Sequence, residues 1–222
     1  MNHIAVAIDG PSGAGKSSVA RACASKLGFI YVDTGAMYRT VGLYVHRKGV
    51  SCRDREAVSA LLPEIHIALR YGEDGTQHMF LNGEDVSRDI RLPEISLCAS
   101  DVSALPEVRA FLLDMQRDLA KKENVIMDGR DIGTTILPDA QVKIFLTASA
   151  EERAMRRYKE LTEKGTAVVY EDVLRELIER DHNDTTRAVS PLRQAEDAVL
   201  IDTSDMDFEG SCEAVLRCVR GE

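Results

Sequence analysis

No long apolar run occurs among the 222 residues, and the N-terminal segment lacks the basic-then-apolar order of a signal peptide. The expectation is a soluble, cytoplasmic chain without a membrane partner. Positive charge is also scarce: 28 Lys and Arg against 37 Asp and Glu leave a formal net charge of −9. That balance speaks against a broad basic face for nucleic acid, so any anionic ligand must be met by a local cluster of arginines. Cys23, Cys52, Cys98, Cys212 and Cys218 are odd in number, none stands in a C-x-x-C pair, and the histidines form no ligand cluster. A disulfide framework and a zinc site are therefore not expected, and the thiols read as free and buried. Linkers and low-complexity stretches are missing as well. Residues 1–222 thus read as one domain, whose 44% hydrophobic content suffices for a full core.

What the chain does hold is concentrated at Gly10 to Ser17, G-P-S-G-A-G-K-S, directly after the apolar run Ile4 to Ile8. Strand, glycine-rich loop and helix in that order form the context of a phosphate-binding P-loop. Backbone N–H groups at Gly13 and Gly15 can wrap phosphate oxygens, and the N-terminus of the next helix adds a positive dipole end. Lys16 would reach the β- and γ-phosphates and Ser17 would ligate Mg²⁺. The triphosphate-binding set comprises Gly10, Pro11, Ser12, Gly13, Ala14, Gly15, Lys16, Ser17 and Ser18.

Further β-branched apolar runs at Phe29 to Asp33, Asn124 to Asp128, Val142 to Thr147 and Val199 to Asp202 repeat the pattern of a buried parallel strand. Ser18 to Leu27 reads as a helix with Val19, Cys23 and Leu27 on one stripe and Gly28 as its stop. This rhythm predicts a three-layer α/β fold with a parallel central sheet. Between Ile65 and Ile90 the period changes to two, and Asp74-Gly75 and Asn82-Gly83 mark hairpin turns, so a small antiparallel sheet is inserted there. Such an insertion belongs over the binding crevice at the sheet's C-terminal edge. Ser149 to Glu152 forms a capping box for a charged helix running to Gly165. A second helix, striped by Val173, Leu174, Leu177 and Ile178, should end near Arg180 in the polar run Asp181 to Asp184. The two would form a flap, and an amphipathic helix from Phe208 to Val219 closes the chain.

A P-loop alone leaves switch, motor and small-molecule kinase open. No N-K-x-D tetrapeptide for guanine is present, and two arginine-rich excursions suit phosphoryl transfer between two bound small molecules. Thr34 and Arg39, after the second strand, could grip an acceptor phosphate, since a guanidinium fork matches phosphate oxygens. Met37 and Tyr38 between them suit core packing. Asp128 ends the third apolar run and is placed to hold Mg²⁺, directly or through water, with Arg130 directed at phosphate. Arg153, Arg156 and Arg157 share one helix face, either as a solvated surface neutralised by acids or as a lid for the transferring phosphoryl group. Arg180, Asp184 and Arg187 mix cations with an acceptor, which suits a phosphorylated sugar.

Together, IDGPSGAGKSS (Ile8 to Ser18), DTGAMYR (Asp33 to Arg39), LNGEDVS (Leu81 to Ser87), DGRDIGT (Asp128 to Thr134), VKIFL (Val142 to Leu146), ERAMRR (Glu152 to Arg157) and ERDHNDTTRAVSPL (Glu179 to Leu192) resemble bacterial cytidylate kinases nearly end to end. The resemblance implies the nucleoside monophosphate kinase fold and Mg²⁺-dependent, reversible transfer of the ATP γ-phosphoryl group to CMP or dCMP. It also implies an inserted CMP-binding region at 39–108 and a helical lid at 151–188; a monomer is expected, although the sequence itself is silent on oligomeric state. Lys16, Asp128, Arg130, Arg153 and Arg157 become catalytic candidates. The acceptor set is Asp33, Thr34, Tyr38, Arg39, Ser100, Arg109, Gly129, Arg130, Asp131, Arg180, Asp184 and Arg187. Within it, Ser100, Arg109 and Asp131 meet the base, Arg180 and Asp184 the ribose, and Arg39, Arg130 and Arg187 the phosphate. Cytosine offers an amine at N4 and acceptors at N3 and O2, which a carboxylate and a guanidinium complement. Another small-molecule kinase, such as one for UMP, and a regulatory protein without turnover are the competing readings.

Overall fold

The structure, a computed structural model, describes residues 3–73 and 76–222. The chain opens with β1 (Ala5–Asp9), α1 (Lys16–Leu27), β2 (Ile30–Asp33), α2 (Thr34–Arg47) and α3 (Arg55–Leu61). A small sheet and two helices follow: β3 (Ile67–Tyr71), β4 (Gln77–Leu81), β5 (Glu84–Asp85), α4 (Pro93–Ser103) and α5 (Pro106–Lys122). The last part holds β6 (Val125–Gly129), β7 (Val142–Thr147), α6 (Ala150–Glu163), α7 (Tyr170–Thr186), β8 (Val199–Asp202) and α8 (Phe208–Arg220).

Five parallel strands in the order β2-β6-β1-β7-β8 form the central sheet, so the expected α/β architecture with a parallel core is present. Every residue of β1 is buried, which explains its uninterrupted apolar run: a strand covered on both faces has no side to leave polar. Its side chains divide by parity. Val6 and Ile8 join Val19, Cys23, Val215 and Leu216 under α1 and α8, while Ala5 and Ala7 face Met37, Val41 and Leu112 under α2 and α5. A third, minor cluster of Ala154, Val173 and Leu177 joins α6 to α7. All five cysteines are free thiols, with Cys98 and Cys218 only half-buried.

Predicted boundaries move by one or two residues. Helix α1 begins at Lys16 rather than Ser18 and stops at Gly28, whose φ of 67° is left-handed. Ser149 caps α6 by accepting from the Glu152 N–H at 3.1 Å. Asn82 and Gly83 take positive φ of 50° and 89° and join Leu81 to Glu84 in the expected two-residue hairpin. The other anticipated turn, Asp74-Gly75, lies outside the described residues.

One boundary is corrected. Helix α7 does not end near Arg180 but runs through the polar stretch to Thr186. Asp181 and Asp184 face inward there and pair with Arg153 at 2.6 Å and Arg130 at 2.7 Å. Residues that look like a solvated exit in sequence are the charge-paired inner face of the helix.

Candidate active site

The loops after β1, β2 and β6 leave the same edge of the sheet and border a cleft of about 890 Å³. At one end lies the glycine-rich loop. Gly10 has a φ of 150°, and a Cβ there would stand 1.9 Å from the Leu146 carbonyl oxygen, so the loop can leave β1 only as glycine. Lys16 opens α1 and donates from Nζ to the Pro11 carbonyl at 2.6 Å, folding its ammonium under the loop. Burial, aided by Arg130, pushes Lys16 down to about 7, against the pull of Asp128, Asp184 and Asp9. The lysine is therefore a buried cation whose charge burial disfavours, although three carboxylates pull the other way.

Ser17 donates to Asp128 Oδ2 at 2.8 Å, and Tyr31 donates to Asp128 Oδ1 at 2.9 Å. Burial and the neighbouring Asp33 carboxylate raise Asp128 above the ordinary range. A hydroxyl and a carboxylate oxygen side by side, 2.8 Å apart, are a fitting donor pair for a hard divalent ion completed by phosphate oxygens.

Beyond Asp128 the cleft is walled by arginines. Arg39 donates to Asp33 Oδ2 at 2.8 Å, and Arg91 stands 3.6 Å from the same oxygen. Burial works against the charge of Asp33, but these two guanidiniums hold it below its ordinary value; its other oxygen caps α2 at the Ala36 N–H. The buried Nε of Arg39 has no partner among the described residues. Arg130 donates from Nε to Asp184, and this neighbour holds it above its ordinary value in spite of burial. Arg180 faces the cleft with no ion pair or hydrogen bond among the described residues, and burial together with Arg130 lowers it.

At the far end Asp131, only 3% exposed, pairs with Arg109 through Oδ2 and meets Arg187 at 3.5 Å through Oδ1. The Arg109 guanidinium also lies 5.5 Å from the Tyr38 ring centroid. Met37 is core, as expected, whereas Tyr38 is buried and yet borders the cleft. Ser100 and Ser103 of α4 form the opposite wall. Gly129 is required by space: a Cβ there would be 2.6 Å from Ile132 Cδ1 and 2.7 Å from Thr34 Oγ1, the hydroxyl that donates to the Asp128 carbonyl. None of the small-sheet strands borders this cleft among the described residues; the inserted part reaches it through Arg91 and α4.

Most sequence-derived residues thus share one cleft: Lys16, Ser17, Asp33, Thr34, Tyr38, Arg39, Ser100, Arg109, Asp128 to Asp131, Arg157, Arg180, Asp184 and Arg187 all border it. Arg153 does not. Its guanidinium donates to the carbonyls of Ser12 at 2.8 Å and Ala148 at 2.9 Å and pairs with Asp181, so it braces the loop from behind. Of the three arginines read on one helix face, Arg156 and Arg157 border the cleft, and Arg156 is anchored on the Thr203 carbonyl at 2.6 Å. Sequence reasoning also passed over Arg91, a single arginine in a loop, and Asp9. The signal for Asp9 was available: it is the one ionisable residue of an otherwise apolar buried strand.

The comparisons with known proteins agree with one another. The family model described as "Cytidylate kinase" matches residues 6–221. A cytidylate kinase of Caldicellulosiruptor bescii is 52% identical over 216 residues, covering 97% of this chain and 95% of that protein. One of Carboxydothermus hydrogenoformans is 53% identical over 214 residues, 96% of each. Among solved structures, an uncharacterized protein from Eubacterium ventriosum aligns over 99% of this chain and 100% of its own, with a TM-score of 0.55 at 13% identity, a likeness of fold alone.

Proposed function

The chain belongs to the cytidylate kinase family, and from that premise we propose that its cleft carries the γ-phosphoryl group of ATP reversibly to CMP or dCMP, giving ADP and CDP or dCDP. What supports this most is that a single cleft is bordered at one end by Lys16 and at the other by the buried Arg109–Asp131 pair, with Arg39, Arg130, Arg180 and Arg187 between them.

ATP enters at the glycine-rich loop, where residues Gly10 to Ser18 wrap its phosphates. The acceptor enters at the far end. Asp131 accepts from the cytosine N4 amine and Arg109 donates toward N3 and O2; uracil would turn a carbonyl toward the carboxylate and leave both acceptors unpaired. Tyr38 and Ser100 frame the base, Asp184 and Arg180 take the ribose hydroxyls, and Arg39, Arg130 and Arg187 take the acceptor phosphate, with Asp33 and Thr34 fixing the strand end beneath it. The buried Nε of Arg39, without a partner among the described residues, is a donor that this phosphate would satisfy.

No covalent intermediate is needed. The two phosphates are held in line, and Lys16, Arg130 and Arg157 face the charge that spreads over the transferring oxygens. Ser17 and Asp128 would hold Mg²⁺, which supplies neutralisation of the triphosphate charge when bound. In this reading residues 39–108 serve the acceptor and residues 151–188 form the lid that excludes water. The protein acts as a cytoplasmic monomer without a nucleic-acid partner. No helix among the described residues is long and apolar enough to cross a membrane.

A coupled assay of Mg-ATP with CMP, dCMP, UMP and AMP tests the whole. CMP should be turned over far better than UMP or AMP. Equal turnover of UMP would defeat the role of Asp131, and absence of any diphosphate product would defeat the kinase reading.

A further inference from the structure

We propose that Asp9 is a positioning residue for nucleobase selection, tying the strand that feeds the phosphate loop to the turn that carries Asp131. The proposal rests on the reading of Asp131 as the group that faces the base.

Asp9 is the last residue of β1 and is 4% exposed. It lies in register with Gly129 at the end of β6. Its two carboxylate oxygens are used separately: Oδ1 accepts from the Ile132 N–H at 2.7 Å and Oδ2 from the Gly133 N–H at 2.8 Å. Those amides open the wide turn Ile132–Ile136, in the five-residue hydrogen-bonding pattern that recurs at functional sites. Asp131 immediately precedes it, with φ −148° and ψ 30°. Its carbonyl accepts from the Thr135 and Ile136 N–H groups at 2.9 and 3.1 Å. The backbone of Asp131 is therefore held from two directions, by its own turn and by Asp9, while its side chain meets Arg109 and Arg187.

A carboxylate is a costly choice for this task. The charges facing Asp9 are Asp131, which repels it, and Lys16, which only partly compensates; burial is the largest effect and pushes Asp9 up to about 6. A residue kept for stability alone would do better neutral. Space is also short: a Cβ on Gly133 would be 3.2 Å from Lys143 Cδ and 3.4 Å from Asp9 Oδ2. A carboxylate is the one side chain of this size that can accept from two successive amides with two separate oxygens. An asparagine would satisfy one amide and oppose its own NH₂ to the other. The freed amide would let the turn relax, and displacements near 1 Å at a recognition group cost up to about 10²-fold.

The experiment compares full-length Asp9→Asn with wild type in four readouts: KM and kcat for CMP, the same for UMP, ATP Kd, and the thermal midpoint. Expected are a rise in KM for CMP of roughly 10-fold, a drop in the CMP-to-UMP ratio of kcat/KM of about 5-fold or more, and an ATP Kd within about 3-fold. The midpoint should hold within a few degrees, because relief of a buried charge offsets the lost hydrogen bond. An unchanged CMP-to-UMP ratio would overturn the proposal, and so would a parallel loss of ATP and CMP affinity together with the midpoint, the mark of a purely structural role. Should Asp9→Asn not fold, Asp9→Glu keeps the charge but carries both oxygens away from the Ile132 and Gly133 amides, and must produce the same selective loss. Asp131→Ala is run alongside. If it keeps the preference for CMP, the reading of the base site fails. If it loses the preference while Asp9→Asn does not, only the role of Asp9 fails.

Discussion

Two ends of one cleft are built from different material. Around Gly10 to Ser17 the cleft is bordered by a glycine-rich backbone, one lysine and the serines Ser12 and Ser17, all from a single short stretch that ends in α1. Around Asp131 the border is made mostly of long charged side chains brought from α2, α5, the turn after β6, and α7, with serines of α4 opposite. A backbone-built site needs correct φ/ψ and room, which glycines supply locally. A side-chain-built site must park its charges when no ligand is there, and it does so in pairs: Arg39 with Asp33, Arg109 with Asp131, Arg130 with Asp184. The acids thus hold the guanidiniums in place when no acceptor is bound, which reduces the reorganisation left for binding.

Removing the residue at the junction of the two ends is the severest way to break this contrast. Arg130→Ala should lower kcat by about 10²–10³-fold while leaving ATP Kd within about 3-fold, since its charge serves the transfer rather than donor binding. Single-turnover kinetics with an equilibrium ATP titration decide it. A large rise in ATP Kd with normal kcat would move Arg130 to the donor end.

The contrast sharpens within one helix. Arg153 is buried against Ser12, Ala148 and Asp181, whereas Arg157 is about two-fifths exposed and paired only with Glu160. Arg153→Ala leaves Asp181 without its partner and should cost about 3 kcal/mol of stability, a fall of roughly 10 °C in Tm. Arg157→Ala should leave Tm in place and lower kcat about 10-fold. Thermal melts and kcat on the same two preparations separate brace from lid; identical profiles would erase the distinction.

Helix packing at the acceptor end offers a milder test. A Cβ on Gly42 of α2 would stand 3.1 Å from the Ala99 backbone nitrogen and 3.2 Å from Cys98 Cβ, so α4 lies against α2 only because residue 42 has no side chain. Gly42→Val should push α4 outward, cost about 2 kcal/mol, and raise KM for CMP several-fold with ATP Kd unchanged. Equal losses for both nucleotides would mean that the two ends are not mechanically separate.

The same division explains what could be read without coordinates. The P-loop, the five parallel strands and the Asn82-Gly83 hairpin follow from local rules of spacing and φ, and their bounds moved little, although the edge strand β8, expected to be buried, exposes Val199 and Leu200. The acceptor arginines could be named because their neighbours form motifs, but not their pairing: that Arg153 turns away while Arg156 turns in depends on where α6 lands on the loop, a tertiary fact. Helix α7 was cut short for the same reason. Asp181 and Asp184 look like exit residues until Arg153 and Arg130, distant in sequence, supply their counter-charges. Asp9 stands out in sequence as the one ionisable residue of a buried strand, but its partners, the Ile132 and Gly133 amides, are a tertiary fact.

Asp9 also joins the two ends, and its titration gives the smallest predicted effect. Its carboxyl, ordinarily at 3.8, is raised to about 6, chiefly by burial, with Asp131 adding to the rise and Lys16 opposing it. Above about pH 7 it is charged in both folded and unfolded chains, and the folded state bears the full cost. As pH falls through 6 the folded chain takes up a proton that the unfolded chain does not bind until about 4, so the folded state binds more protons and stability rises in that window. Between pH 7 and pH 5 wild type should therefore gain about 1 kcal/mol over Asp9→Asn, or roughly 2–4 °C in the difference of their Tm values. Lys16, lowered to about 7, feels the Asp9 charge and is felt by it, so the difference between the two proteins belongs to that pair; Asp128 is present in both. Asp33 and Asp184 are held below their ordinary value, so their contributions are lost only below about pH 4, outside the window. Melts of the two proteins that run parallel from pH 7 to pH 5 would show that Asp9 carries no such burden, and the contrast between a locally built donor loop and a charge-strained acceptor turn would lose the residue that links them.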